Sequence, residues 1–193
     1  MKKFMVSFIM LLCLLLTMSI VGAAPNPEEV SSQKQVVIIP FINSTEETKD
    51  YIGKTVEAKF AEQFSNAKYQ TAAQETVNAS LSANKFDASN LELPEKDLMI
   101  KVANETNADY VIAMEIVQFI NSRHASYFST SAKSEVKLRY KVYSKATNQV
   151  TTFQTVGKGN NKVTSIGIPG IGEAMRRGLV EAMDEGFIKI EKL

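Results

Sequence analysis

Hydrophobic and polar positions along the chain follow two different periods, which predicts a domain of mixed helices and strands. Residues 35–41 are almost wholly apolar and β-branched, which is typical of a short strand buried on both faces of a sheet. Residues 135–142 place apolar side chains at every second position, as in a strand with one face in water. Residues 46–65 and the segment after Pro169 repeat apolar side chains every four residues, which favours helices that pack on one side.

The same patterns predict the remaining elements. The β-branched run at residues 109–119 indicates a long strand, and a Thr-rich strand begins at Gln149 after a turn in which Asn148 tolerates a left-handed conformation. The polar, glycine-bearing segment 157–167 predicts a flexible loop. Shorter runs add a strand and two helices, at residues 68–71, at residues 72–83 and after Pro94.

The resulting element order is β-α-β-α-α-β-β-β-α. This order predicts an α+β fold, in which about four helices pack on a mixed, largely antiparallel sheet of about four to five strands. The chain has 193 residues, and the part that follows its first apolar run suits a single domain with a well-buried core.

The beginning of the chain carries the pattern of a secretory signal peptide. Lys2 and Lys3 precede an apolar run over residues 4–20, and small residues suitable for cleavage follow up to Ala23. The alternative is that the apolar run is retained as a membrane anchor, although it is at the short end of the length that spans a bilayer. The sequence therefore divides into a signal peptide, a flexible leader and one globular α+β domain, at residues 1–23, 24–34 and 35–193.

Composition and charge narrow the classes of function. The 22 basic and 21 acidic side chains nearly balance, so the chain lacks the basic footprint of a nucleic-acid binder and the polybasic patch that attracts anionic lipid. The single cysteine, Cys13, lies inside the apolar run and not at its end, which argues against a lipoprotein. We expect an exported chain in the periplasm or another extracytoplasmic part of the envelope, without disulfides, nucleic-acid partners or stable membrane insertion of the mature form.

The sequence contains few residues arranged as catalytic or metal-ligating sites require. His124 is the only histidine, whereas zinc sites draw on several His or Cys ligands, and no Gly-x-Ser-x-Gly elbow occurs. Glu115 lies in an otherwise apolar strand, where we expect a structural partner such as Arg139 or a lysine on the next strand. The sequence therefore predicts no enzyme, no catalytic residue, no cofactor and no metal ion.

Two other functions stay open at this point. One is a small secreted hydrolase that acts on cell-wall or polysaccharide substrates through acidic residues around Glu115. The other is a periplasmic domain that binds small anions at the glycine-bearing segment 167–172 before the last helix.

One segment has the residue types of a protein interface. The connector between two predicted strands contains Arg123, His124, Tyr127 and Phe128, and Tyr, Phe and Arg are favoured at interface centres. We take these four as candidate partner-binding residues. The alternative is that Tyr127 and Phe128 start the next strand and pack inward.

Three stretches resemble a superfamily of bacterial envelope proteins that includes CsgG, the amino-terminal domain of TolB and LpoB. Residues 36–41 resemble its opening apolar strand with Pro-Phe, residues 108–119 its Ala-Asp-Tyr strand, and residues 142–150 its strand-turn-strand unit. The resemblance covers most of residues 35–193 in element order. It implies an exported, non-enzymatic accessory or assembly protein that contacts another envelope protein or a second copy of itself.

Overall fold

A computed structural model describes residues 33–125, 129–164 and 168–193. The predicted signal peptide, most of the predicted leader, Tyr127 and Phe128 lie outside these residues. The described part forms six strands and four α-helices, which confirms the predicted α+β class. In chain order they are β1 (Lys34–Ile38), β2 (Ile42–Asn43), α1 (Asp50–Phe64), β3 (Tyr69–Thr71), α2 (Gln74–Ala83), α3 (Lys96–Glu105), β4 (Tyr110–Ala125), β5 (Ser129–Ser144), β6 (Gln149–Thr164) and α4 (Ile171–Ile190).

The six strands form one mixed sheet. Its spatial order is β3-β1-β4-β5-β6, and the two-residue β2 pairs with β4 beyond the end of β1. β1 runs parallel to β3 and β4, whereas β4, β5 and β6 form an antiparallel meander of three strands of 16 residues each. The parallel part follows from the helices between those strands, and the antiparallel part from short connections.

Helices cover both faces of the sheet where its strands are parallel. Val36 of β1 packs in a core with α1 and α4, while the next residue, Val37, packs in a second core with α2 and α3. Both valines are fully buried, as the apolar run at residues 35–41 predicts. The predicted stripe of α1 is also buried, and it consists of Ile52, Val56, Phe60 and Phe64.

The first helix begins four residues later than its apolar pattern predicts. Asn43 Oδ1 accepts hydrogen bonds from the Thr45 backbone N–H at 3.2 Å and from Thr45 Oγ1 at 2.7 Å. Asn43 Nδ2 in turn donates to the Glu47 carbonyl oxygen at 2.7 Å. These local bonds hold residues 43–47 in a turn, which competes with helix formation.

The prediction of a loop at residues 157–167 is wrong for residues 157–164, because these residues continue β6. The glycines at positions 157 and 159 allow the backbone of β6 to lie close to the backbone of α4. A Cβ atom at Gly159 would overlap the carbonyl oxygen of Ala174 and lie 2.6 Å from the backbone nitrogen of Gly178. A Cβ at Gly157 would overlap the carbonyl oxygen of Gly178. The backbone of α4 therefore lies directly on the backbone of β6, which only glycine permits.

A second close contact lies further along α4. The ring of Tyr140 in β5 is 1% exposed, and a Cβ at Gly186 would come within 2.7 Å of it. The same ring stacks on Phe153 of β6 at 5.2 Å between centroids, and burial raises the pKa of its hydroxyl. The buried face of β5 is the one that alternation predicts, with Val136, Leu138, Tyr140 and Val142 beneath α4.

We expect the substitution Gly159→Ala to destabilise the fold by about 1–3 kcal/mol or more, since the added methyl group meets backbone atoms that cannot move aside. The measurement is the free energy of unfolding in urea. Gly53→Ala in α1 is the matched control, because the nearest atom to its Cβ is Phe41 Cζ at 3.8 Å. The Gly53→Ala substitution should raise the free energy of unfolding by about 0.5–1 kcal/mol, because alanine favours the helix more than glycine does. Equal effects of the two substitutions would contradict the close packing of α4 on β6.

Candidate functional site

The outer halves of β4, β5 and β6 present an uncovered sheet face on the side opposite α4. Residues directly opposite each other in the register share a face, so the pairing identifies its members. We call this surface the ribbon face. From the base outward, its four cross-strand rows are Gln118–Lys137–Val156, Ile120–Glu135–Lys158, Ser122–Lys133–Asn160 and His124–Ser131–Lys162.

Two of the four predicted partner-binding residues, Arg123 and His124, lie on opposite faces of the sheet. β4 continues to Ala125, so Arg123 and His124 belong to a strand and not to a connector. His124 pairs with Ser131 on the ribbon face, whereas Arg123 pairs with the buried Ala132 on the helix side. Consecutive strand residues point to opposite faces, so the two side chains do not share one surface.

Two aliphatic side chains are exposed at the base of the ribbon face. Ile120 of β4 is 44% exposed, and Val156 of β6 is 40% exposed. Lys137 and Glu135 of β5 lie between them in the register. Exposed aliphatic side chains beside polar ones can take part in a protein interface.

Positive charge dominates the rest of this face. It holds four lysines, Lys133, Lys137, Lys158 and Lys162, against the single carboxylate of Glu135. None of these four lysines forms an ion pair with another residue of the described chain. Their charges are therefore available to groups beyond the described residues.

An ion pair between a buried carboxylate and a partly exposed arginine lies at the foot of the ribbon face. Arg139 Nε donates to Glu115 Oε2 at 2.8 Å, Arg139 Nη2 bonds the same oxygen, and Ser44 Oγ donates to Glu115 Oε1 at 2.7 Å. The side chain of Glu115 is 4% exposed, and that of Arg139 is 43% exposed. Both carboxylate oxygens are thus engaged, and Glu115 has the structural partner that the sequence predicts.

The outer edge of β6 is closed by a row of charged side chains from α4. Residues at every second position of a strand direct their N–H and C=O groups to the same edge, and residues at every fourth position of a helix lie on one side. Four side chains at every fourth position of α4 form hydrogen bonds with backbone groups at every second position of β6. The pairs are Arg177 to the Asn160 carbonyl (2.8 Å), Glu181 to the Lys158 N–H (2.6 Å), Glu185 to the Val156 N–H (3.4 Å) and Lys189 to the Gln154 carbonyl (2.8 Å).

The two spacings that form this row match closely. Four helical residues rise about 6 Å and two strand residues rise about 6.7 Å, so each step of α4 meets the next free group of β6. The hydrogen bond from Lys189, followed by that from the Val156 N–H, lowers the pKa of the Glu185 carboxyl. The row satisfies edge groups that an added strand would otherwise bind.

A groove lies at the ends of β1 and β3. From there the chain continues to α1 on one face of the sheet and to α2 on the other. The groove has a volume of about 510 Å³, and its lining includes Phe41, Phe60, Thr71, Gln74 and Glu57. No lysine or arginine belongs to this lining.

The described residues hold neither a metal-type cluster nor a membrane-spanning helix. No three His, Cys, Asp or Glu side chains among them converge as metal ligands would. None of their helices combines the length and the apolar character needed to cross a bilayer. The segment proposed for small anions is described only from Ile168 onward, and there Glu173 in the first turn of α4 is paired with Arg176 and Arg177.

Comparison with solved structures finds several similar folds at low sequence identity. The hypothetical protein CT253 of Chlamydia trachomatis is 15% identical, with a TM-score of 0.49 over 83% of this chain and 95% of that one. The lipoprotein GNA1162 of Neisseria meningitidis is 12% identical, with a TM-score of 0.45 over 82% and 98%. The C-terminal domain of LpoB from Escherichia coli is 12% identical, with a TM-score of 0.42 over 67% and 85%.

LpoB is one of the three proteins named for the superfamily that the sequence resembles, while the resemblance to CsgG and TolB stays a prediction. No protein-family model and no curated protein matches the chain. At these identities and TM-scores, the likenesses assign no function.

The ion pair at the foot of the ribbon face predicts an asymmetric pair of substitutions. Arg139→Gln leaves a buried carboxylate without its cation and should cost about 3 kcal/mol of unfolding free energy. Glu115→Gln should cost less, about 1–2 kcal/mol, because Arg139 can reach water. The double variant should recover part of the loss in a urea-unfolding cycle. Additive losses in the double variant would contradict a direct pairing.

The row along β6 predicts that the edge opens when its acids are removed. We expect Glu181→Ala combined with Glu185→Ala to raise the apparent mass at high protein concentration, because exposed edge groups pair with other chains. Sedimentation velocity over a concentration series measures this. Glu57→Ala combined with Glu75→Ala removes the same charge from exposed helical positions and serves as the control. Equal behaviour of the two double variants would show that the row does not protect the edge.

Proposed function

We propose that this chain is an exported, non-enzymatic protein of the cell envelope, which acts as an accessory or assembly factor through contacts between its ribbon face and another protein. The observation that carries the proposal is the ribbon face itself. It combines the exposed Ile120 and Val156 with four lysines that form no ion pair in the described part of the chain, on one continuous sheet surface.

The packing of α4 on the opposite side of the sheet makes the ribbon face suitable for binding. α4 packs on the opposite side of β5 and β6 through Gly157 and Gly159, so the sheet is held in one shape before a partner arrives. A preorganised surface loses little conformational entropy on binding, which favours affinity. Because side chains of α4 close the edge of β6, a partner is directed to the face and not to the edge.

Export rests on the pattern of residues 1–23, whose charged start, apolar run and small residues are those of a signal peptide. The hydrolase hypothesis is weaker, because the Glu115 carboxylate is bound by Arg139 and Ser44 and is almost fully buried. A general acid or base must reach a proton of its substrate, whereas both oxygens of this carboxylate accept hydrogen bonds and its side chain is only 4% exposed.

Site-specific crosslinking tests the proposal in the native host. A photoreactive phenylalanine derivative at Ile120 of the full-length chain should form an adduct with one protein, found in the extracytoplasmic fraction. Ile188 of α4 is the matched control, since it is an isoleucine of similar exposure (52%) outside the ribbon face. Equal adduct yields at the two positions, or a chain that stays in the cytoplasm, would overturn the proposal.

A further inference from the structure

We infer that the partner of the ribbon face is a protein that presents an acidic surface. This inference rests on the proposed function and adds the chemistry of the partner to it. Four lysines and one glutamate leave a clear excess of positive charge on this face. The chain as a whole is nearly balanced, with 22 basic and 21 acidic side chains. Complementary charge on a partner speeds encounter and excludes wrong partners.

The lysines lie close enough together to act as one charged patch. Lys133 and Lys137 are four residues apart on β5, and Lys158 and Lys162 are four residues apart on β6, so each pair is separated by about 13 Å along its strand. The two strands are neighbours, about 4.8 Å apart. Each lysine thus has another within about one or two Debye lengths at physiological salt, so the charges reinforce one another.

Neighbouring acidic groups do not neutralise this patch. Glu135 stands opposite Lys158 in the register and offsets at most one of the four positive charges. Glu181 and Glu185 of α4 accept hydrogen bonds from backbone N–H groups of β6, Glu185 is also paired with Lys189, and neither forms an ion pair with a lysine of the ribbon face. At least three of the four lysines therefore have no ion-pair partner within residues 33–125, 129–164 and 168–193.

The apolar side chains on this face favour a protein over a nucleic acid. Ile120 and Val156 are aliphatic, and the twelve residues of the ribbon face include no phenylalanine, tyrosine or tryptophan and a single histidine, His124, on which a base could stack. Aliphatic groups surrounded by charge instead suit an interface in which a small apolar centre is buried and the ionic contacts lie around it. An acidic protein surface with aliphatic side chains at its centre fits this arrangement.

Charge reversal in the crosslinking experiment tests the inference. With the photoreactive residue at Ile120, Lys133→Glu combined with Lys158→Glu should reduce the adduct about tenfold, a loss equivalent to about 1.4 kcal/mol. The same two lysines changed to arginine should retain the adduct, because the charge is kept. Lys54→Glu combined with Lys85→Glu makes the same charge change outside the ribbon face and should leave the yield unaltered.

The outcomes separate this inference from the proposed function. An adduct at Ile120 that survives Lys133→Glu with Lys158→Glu would overturn the acidic partner and leave the protein-contact function standing. A second measurement is binding of the purified mature chain to vesicles of phosphatidylglycerol and phosphatidylcholine. Binding that is lost in the same double variant would overturn the acidic protein partner in favour of a membrane surface. Absence of any adduct at Ile120 would overturn both. Thermal unfolding of each variant shows that the exposed substitutions leave the fold intact.

Discussion

The direct contact between the backbones of α4 and β6 is the constraint on which the rest of the outer structure depends. Gly157 and Gly159 of the strand and Gly178 of the helix leave no side chain between the two elements. The helix therefore lies low enough for the charged side chains along its flank to reach the free edge of β6. A methyl group at Gly159 would lift the helix and separate those side chains from the edge they close.

That constraint also decides which surface of the sheet is open. One face of β5 and β6 is covered by α4, and the outer edge of β6 is bound by the row from Arg177 to Lys189. α2 and α3 reach only the inner ends of β4 and β5 on the opposite side, where Val111 and Tyr143 are buried. The ribbon face lies beyond that core, so its exposure follows from where the helices end.

Local patterns in the sequence predict much of this arrangement, and the rest depends on contacts that only folding reveals. The alternation at residues 135–142 identifies the buried face of β5, and the apolar surroundings of Glu115 indicate the partner that Arg139 provides. Gly157 and Gly159 mislead, because a glycine that permits a close approach looks the same as one that permits a loop. The opposite orientations of Arg123 and His124 follow only once β4 is known to extend to Ala125, and the role of these residues in binding stays a prediction.

The distribution of ion pairs separates the helix side of the molecule from the ribbon face. On the helix side, α1 and α4 carry ion pairs within the described residues, as in Lys59 with Asp184 and Glu173 with Arg177. On the ribbon face, lysines stand in neighbouring rows of a sheet without such partners, and their mutual repulsion opposes folding. Among the described residues, no ion pair offsets the four lysine charges that share this exposed face. An acidic partner relieves that repulsion on binding, so the cost that the lysines impose on the free chain becomes part of the affinity of the complex.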